Sequence, residues 1–245
     1  MTLEVVNQLG EHFVGSAVLA LADDTVLTAW HVVADARSVW AIFADRQRVN
    51  VMGCIDYDSV RDLALLKLGK RLPHRQARLG RELQSVAARA YVIGSPKGYD
   101  FSISDGLISQ TRNVDGFLQY QISCPISPGN SGSPVLNHFG EVVGIASWTK
   151  ADAQNVSFAI PTQEIVRLNL SKRPTTWEQL AASARPPQPA RWVEPLHPID
   201  TVKEEDPDRA SFAAFMNQLS HRAGKSVTVV VQEEGRTNTF KFSGN

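Results

Sequence analysis

Cysteine is scarce in this chain: Cys54 and Cys124 are the only two among 245 residues. Two cysteines cannot supply the disulfide framework that stabilises many small secreted domains, so the fold has to depend on a hydrophobic core. Apolar residues make up 43% of the sequence, which is enough for such a core and excludes a chain that is disordered throughout. We expect both cysteines to be buried free thiols rather than partners in a disulfide.

An excess of charge of either sign is also missing. The 25 lysines and arginines balance 25 aspartates and glutamates, and no run of basic residues stands out. Attraction to nucleic acid or to an anionic membrane therefore has no basis in the composition. The sequence has no stretch near the roughly 20 apolar residues of a membrane-spanning helix, and its first residues lack the pattern of a signal peptide. We expect no nucleic-acid or membrane partner and a cytoplasmic location, although a mature periplasmic form would look the same.

Short runs rich in β-branched and aromatic residues fill the first two-thirds of the chain, with turn residues between them. Many short strands at close spacing are typical of a β-sandwich or a β-barrel. The predicted strands are 16–21, 25–28, 49–57, 63–68, 91–93, 101–110, 117–123, 142–147 and 156–160. Pro161 is then expected to open a helix that continues to Leu170.

The composition changes after residue 170, where six prolines fall between residues 174 and 198. Such sequence resists regular structure, so residues 171–200 are predicted to form a linker, although two tryptophans favour packing of part of it against the domain. The following pattern predicts a helix from Asp206 and then a hairpin with strands 227–231 and 237–242. The predicted organisation is therefore a domain of residues 1–170, the linker, and a helix-hairpin tail of residues 201–245.

A serine between two glycines, in the segment SPGNSGSP of residues 127–134, is the first candidate for chemistry. Gly129 and Gly132 give the backbone the freedom to present the hydroxyl of Ser131 and nearby N–H groups to one point. An acyl-transfer enzyme needs this combination of a nucleophile and donors for the oxyanion on the attacked carbonyl. On its own, the segment is equally compatible with an ordinary turn.

Two further residues support the chemical interpretation of Ser131. His31 stands at the end of one apolar strand, and Asp62 stands at the head of another. A lone histidine or aspartate in such a place is more often structural than catalytic. The three residues together, in the order His, Asp, Ser, indicate a nucleophile, its base and the group that orients the base.

The surrounding motifs resemble those of the trypsin-like serine peptidases with the chymotrypsin fold, and within them the bacterial HtrA/Deg branch. They are TAWHVV around His31, DLALLKL from Asp62, VIGSPKG, SDGLIS, SPGNSGSPV around Ser131, GEVVGIASW and FAIP. The resemblance implies an all-β fold of two six-stranded antiparallel β-barrels with the active site in the cleft between them. The first barrel would carry His31 and Asp62, and the second would carry Ser131.

The same resemblance implies a role for each site residue. Asp62 would orient His31, His31 would take the proton of Ser131, and no metal or cofactor would take part. The implied oxyanion hole comprises Gly129, Asn130 and Ser131. The residues implied to border the substrate are Pro125, Ser147, Trp148, Thr149 and Val156. Because Pro125 stands at the base of the P1 pocket in place of a carboxylate, a small or medium apolar P1 residue is expected.

The sequence therefore predicts a serine endopeptidase that acts on protein or peptide substrates. A non-catalytic peptide-binding or scaffold module with the same fold stays open as an alternative, as does a partner-regulated processing protease rather than a quality-control one. The tail resembles the last helix and two strands of a PDZ domain, but no Gly-Leu-Gly-Phe-like loop precedes it. Binding of peptide ends by the tail is therefore doubtful on this pattern, and binding of a protein partner through the tail stays open.

Overall fold

The computed structural model describes residues 1–95, 101–114, 116–149, 156–183, 227–233 and 236–242. The chain divides into two compact units, Met1–Ala190 and Arg191–Asn245. Strands predominate in the first unit, as the sequence predicts. In the described part of the chain, no helix has the length and apolar character that crossing a membrane requires.

Seven strands form the first sheet, in the spatial order β2-β1-β5-β6-β7-β4-β3, with antiparallel neighbours throughout. They are β1 (Thr2–Asn7), β2 (His12–Ser16), β3 (Val18–Leu19), β4 (Thr25–Thr28), β5 (Ala36–Ile42), β6 (Arg48–Asp58) and β7 (Leu63–Leu68). The two edge strands, β2 and β3, are separated by Ala17 alone, so one stretch of chain forms both edges. The first sheet is thus a half-barrel of seven strands where a barrel of six was predicted, and the extra strand arises because one strand is interrupted at Ala17.

The second sheet is a closed barrel of six strands in the order β10-β13-β12-β11-β8-β9, which confirms the predicted count. Its strands are β8 (Arg89–Gly94), β9 (Ser102–Val114), β10 (Phe117–Ile122), β11 (Pro134–Leu136), β12 (Val142–Thr149) and β13 (Ser157–Pro161). All its neighbouring strands are antiparallel. The segment of residues 123–133, which contains the predicted nucleophile, connects β10 to β11.

Each sheet encloses its own hydrophobic core. Apolar side chains such as Leu3, Val39 and Leu66 fill the first core, and Ile108, Tyr120 and Ile122 are among those that fill the second. One cysteine lies in each core, and both thiols are free, as predicted. Burial raises the pKa of the Cys54 thiol to about 12 and that of the Cys124 thiol to about 11, so neither is a reactive thiolate at neutral pH.

The helix expected from Pro161 to Leu170 is much shorter in the structure. Pro161 ends β13, and α1 comprises only Thr162–Ile165. The apolar spacing placed Val166 and Leu170 on a buried face, yet these side chains are 82% and 45% exposed. Instead of continuing the helix, the chain turns toward the first sheet, where the Asn169 N–H donates to Asp56 Oδ2 at 2.8 Å.

The packed unit continues past residue 170 into the segment predicted to be a linker. Thr175 pairs with Cys54 through two backbone hydrogen bonds of 2.8 and 2.9 Å. A second helix, α2 (Trp177–Ser183), follows, and the buried indole of Trp177 donates to the Val51 carbonyl at 2.8 Å. Gly53 allows this approach, since a Cβ there would overlap the Thr175 carbonyl. The rest of the predicted linker and the helix predicted from residue 206 lie outside the described residues.

The second unit contains two antiparallel strands in its described part. They are β14 (Val227–Glu233) and β15 (Arg236–Phe242), with Val227 opposite Phe242 and Glu233 opposite Arg236. β14 contains the predicted strand 227–231, and β15 contains the predicted strand 237–242.

A buried ion pair connects the first sheet to the second barrel beside the candidate site. The Arg61 guanidinium donates from Nε to Glu164 Oε2 and from Nη1 to Asp58 Oδ2, each at 2.8 Å. The other oxygen of Glu164 accepts the N–H of Leu118 on β10 at 2.9 Å. The side chains of Arg61 and Glu164 are only 16% and 8% exposed, and Arg167 Nε also lies 3.4 Å from Glu164 Oε2, so neighbouring opposite charges compensate both groups.

Glu164→Gln is expected to lower the free energy of unfolding by about 2 kcal/mol, the worth of a hydrogen bond to a charged group in a partly buried place. Urea-induced unfolding measures the loss. The matched control is Glu4→Gln, which breaks the exposed pair of Glu4 and Arg48, with side chains 45% and 53% exposed. That change should cost about 0.5 kcal/mol or less. Equal losses in the two variants would contradict a special role for the buried pair.

Candidate active site

His31 and Asp62 are placed by short irregular segments at the ends of strands. His31 lies in a single 3-10 turn, Trp30–Val32, shortly after β4. Asp62 directly precedes β7 and has a φ of +56°, in the left-handed region that aspartate adopts more readily than most residues. The Trp30 N–H donates to the Asp62 carbonyl at 3.2 Å, which brings the two segments side by side.

The carboxylate of Asp62 is buried and accepts three hydrogen bonds. Its Oδ1 accepts the backbone N–H of His31 at 2.8 Å, and its Oδ2 lies 2.7 Å from Nδ1 of the His31 ring. The hydroxyl of Ser147 also donates to Oδ2. These contacts fix the orientation of the carboxylate. Asp62 contacts only Nδ1 of the His31 ring, so the other ring nitrogen, Nε2, is not engaged by Asp62.

The environment of His31 favours its protonated ring. Burial lowers the pKa of His31, but the hydrogen bond and the negative charge of Asp62 outweigh that effect, so the pKa is raised from its ordinary value of 6.5. The side chain is nevertheless 43% exposed, which leaves one side of the ring open to a substrate.

Ser131 lies in a sharp loop between two glycines with positive φ, +99° at Gly129 and +85° at Gly132. Its Oγ donates to the carbonyl oxygen of Ser147 at 3.2 Å. Within the described residues, no hydrogen bond joins Ser131 to His31. Ser147 therefore links both halves of the site, because its hydroxyl contacts Asp62 and its carbonyl contacts Ser131.

The backbone of the loop offers two N–H groups. In the described part of the chain, neither the Gly129 N–H nor the Ser131 N–H donates a hydrogen bond. The Asn130 N–H differs, since it donates to the Ser127 carbonyl at 2.9 Å within the turn. Of the three residues predicted for the oxyanion hole, Gly129 and Ser131 thus have available donors, and Asn130 contributes to the shape of the loop.

The residues predicted to border the substrate are spread over three segments. Ser147, Trp148 and Thr149 end β12, Val156 immediately precedes β13, and Pro125 lies in the segment after β10. The Trp148 ring stacks on Phe158, with centroids 3.9 Å apart and an interplanar angle of 13°. The side chain of Pro125 is exposed, and its carbonyl accepts the Ser104 hydroxyl at 2.9 Å. Residues 96–100 and 150–155 are outside the described part.

Comparison with known proteins agrees with this fold. Residues 15–145 match the family model of the trypsin-like peptidase domain, and the chain belongs to this family. Within it, the chain is similar to curated relatives and to a solved structure of the HtrA/Deg branch, the branch that the motifs resemble.

Two curated relatives illustrate the extent of the similarity. A probable periplasmic DegP-like serine endoprotease of Pseudomonas fluorescens is 40% identical over 158 residues, which cover 60% of this chain and 32% of the relative. A putative serine protease, HhoB, of Synechocystis sp. is 35% identical over 164 residues, which cover 62% of this chain and 38% of the relative. The chain thus spans about a third of the length of these relatives. Their names agree with the predicted class, serine endopeptidase, and the expected cytoplasmic location has no support from them.

Two solved structures show the same architecture. An HtrA-type protease, AlgW, solved with a tripeptide, has a TM-score of 0.62 and 28% identity, covering 68% of this chain and 57% of the other. A protease of M. tuberculosis in its active form has a TM-score of 0.66 and 20% identity, covering 72% and 82%. The second likeness concerns the fold alone. Together they confirm the chymotrypsin-like arrangement of the first unit.

Asp62→Asn is expected to lower the pKa of His31, because an uncharged amide no longer stabilises the protonated ring. An NMR titration of the His31 ring signals measures this, with a wild-type midpoint above 6.5 and a lower midpoint in the variant. Asp45→Asn, at an exposed aspartate, is the control and should leave the midpoint unchanged. If Asp62→Asn titrates like the wild type, the carboxylate does not control the charge of His31.

Proposed function

We propose that this chain is a serine endopeptidase that hydrolyses peptide bonds through Ser131, His31 and Asp62. The observation that carries the proposal is the hydrogen bond of 2.7 Å between the buried Asp62 carboxylate and Nδ1 of His31. Ser147 holds this pair and the hydroxyl of Ser131 together. A nucleophile, its base and an orienting carboxylate are thereby brought together where the two sheets meet.

The reaction begins when the Ser131 hydroxyl turns from the Ser147 carbonyl to Nε2 of His31. His31 takes the proton as Oγ attacks the peptide carbonyl, and Asp62 stabilises the positive charge that develops on the ring. The protonated ring then gives its proton to the leaving amine as the C–N bond breaks, which leaves an acyl-enzyme ester on Ser131. Water, deprotonated by the same base, hydrolyses the ester and releases the acid.

The developing oxyanion is stabilised by the backbone of the loop. The N–H groups of Gly129 and Ser131 are free in the described part of the chain, and they are the donors that the tetrahedral intermediate requires. Gly129 can present its N–H because its φ of +99° is open to glycine.

The alternative of a non-catalytic binding module is less consistent with the buried charge. A peptide-binding surface has no need of a carboxylate whose exposure is only 7% at the side chain and which is aimed at a histidine ring. Burying that charge is unfavourable unless it is compensated. The three donors that converge on Asp62 provide the compensation and orient the base at the same time.

Ser131→Ala is expected to reduce kcat for peptide hydrolysis by at least about 10⁴-fold, since the members of a triad act as a unit. The variant should also fail to react with a fluorophosphonate probe. The control is Ser133→Ala, a buried serine two residues away that should still be labelled at Ser131. Hydrolysis by Ser131→Ala at the wild-type rate would show that another group is the nucleophile.

We further propose a small or medium apolar P1 residue. Pro125, at the base of the P1 pocket in related enzymes, carries no charge to attract a basic side chain. The one acidic residue of β9, the strand that contacts Pro125 through Ser104, is Asp105, which is paired with Arg89 at 2.8 Å. Neither residue therefore supplies a free carboxylate for lysine or arginine.

A peptide library with a varied P1 residue tests this preference. Cleavage is expected to be fastest after valine, alanine or leucine. Pro125→Asp should shift the preference toward lysine and arginine by adding a charge at the pocket base. A wild-type enzyme that favours arginine or aspartate at P1 would overturn the assignment of the pocket.

The setting in which the enzyme works is also a proposal. The names of the Pseudomonas relatives place those proteins in the periplasm, and we propose the same compartment here. Proteomic identification of cleaved proteins separates two modes of action. A quality-control protease should yield many unfolded targets, whereas a processing protease regulated through a partner of the tail should yield few.

A further inference from the structure

Ser16 is a fully buried polar residue at the end of β2, where the first sheet meets the loop that carries Ser131. No role was predicted for it from the sequence. Its backbone N–H donates to the Ser131 carbonyl at 2.8 Å, and its hydroxyl donates to the Gly129 carbonyl at 2.7 Å. Both contacts span more than a hundred residues of chain and join the two sheets at the nucleophile loop.

The remaining polar groups of Ser16 are also engaged. Its Oγ accepts the N–H of Ser95 at 3.2 Å, and its carbonyl accepts the hydroxyl of Thr28 at 2.6 Å. Thr28 ends β4, three residues before His31. Thr28, near His31 in the chain, therefore helps to fix the position of Ser16. Ser16 in turn contacts the loop that carries Ser131.

Ser16 donates its hydrogen bonds to carbonyl groups of the loop around Ser131. It therefore leaves two N–H groups of that loop available for a substrate. Ser16 holds the carbonyls of Gly129 and Ser131, whereas the N–H groups of the same two residues have no acceptor in the described part of the chain. Because each peptide unit is planar, anchoring a carbonyl also fixes the plane of its peptide. Along the loop, the two peptide planes anchored through their carbonyls alternate with the two peptide planes that carry the N–H groups of Gly129 and Ser131.

The loop needs such an external anchor because of its glycines. Gly129 and Gly132 both have positive φ, and glycine moves between backbone conformations with little steric resistance. At Gly132 the chain passes so close to the Ser16 carbonyl and the Thr28 hydroxyl that a Cβ would overlap both. Close packing restrains Gly132, but the described hydrogen bonds give the Gly129 carbonyl one anchor only, the hydroxyl of Ser16.

We propose that Ser16 is a positioning residue that acts through the Gly129 carbonyl. It holds the loop around Ser131, here called the oxyanion loop, in its productive conformation. It touches neither the substrate nor the reacting atoms, and it acts by keeping the Gly129 and Ser131 N–H groups directed at the oxyanion. The proposal rests on the proposed function, since it concerns the same reaction. Its expected signature is a loss of transition-state stabilisation at unchanged substrate binding.

Ser16→Ala removes the hydroxyl and leaves the backbone contact to Ser131 in place. We expect kcat to fall at least about tenfold, less than the 10²- to 10³-fold cost of deleting an oxyanion-hole donor outright, with KM unchanged. The substrate is a chromogenic peptide with valine at P1. The affinity for a peptide boronate of the same sequence, which forms a tetrahedral adduct with the nucleophile, should fall in parallel with kcat. The affinity for the uncleaved peptide, measured on the Ser131→Ala background, should not change.

Thr162→Val is the matched control. The buried hydroxyl of Thr162 donates to the Gly80 carbonyl at 2.7 Å, the same kind of contact at the same distance, but on α1 away from the loop. The Thr162→Val variant should have a lower melting temperature, as Ser16→Ala should, but its kcat and its affinity for the boronate should be unchanged. Ser16→Cys provides a second variant, and its weak S–H donor should give a kcat between those of the wild type and Ser16→Ala.

A wild-type kcat in Ser16→Ala, or an equal loss of kcat in Thr162→Val, would overturn the proposal. So would a rise in KM that accounts for the whole effect, because that would indicate weaker substrate binding rather than a disturbed oxyanion loop. These outcomes leave the proposed function intact, provided that the wild-type enzyme cleaves the peptide and reacts with fluorophosphonate. A wild-type chain that does neither overturns both.

Discussion

The burial of the Asp62 carboxylate is the constraint around which the candidate site is organised. A charge in that place must be compensated, and the compensation comes from the backbone and ring of His31 and from the hydroxyl of Ser147. Two of these donors belong to the first sheet, and Ser147 belongs to the second barrel, so the carboxylate has all three donors only where the two sheets are packed together. The complete site therefore depends on the docking of the sheets.

Two further contacts across the same junction serve this arrangement. Arg61, next to Asp62 in sequence, reaches Glu164 beyond the second barrel, and Ser16 reaches the loop of Ser131. Both are buried and polar, so they are strong only in the correct geometry and unfavourable in any other. Hydrophobic side chains fill two separate cores, and these directional contacts join the two sheets at the candidate site.

Local patterns in the sequence predicted the structure where local physics dominates. Strands with alternating or continuous apolar residues, such as β7, lie where the sequence places them, and both cysteines are buried free thiols. The helix after Pro161 was predicted too long because Val166 and Leu170 match a helical period without being buried. Periodicity indicates which residues could share a face but cannot show whether another element covers that face.

The sequence by itself determined the family, the order of the motifs and the identity of His31, Asp62 and Ser131 as candidates. Only the tertiary structure decided what holds them: Ser147 on Asp62, and Ser16 on the Gly129 carbonyl. Serine is common in turns and at strand ends, so neither residue has a distinctive local pattern. Their contacts span 85 and 113 residues, and such pairs exist only where the first sheet packs against the second barrel.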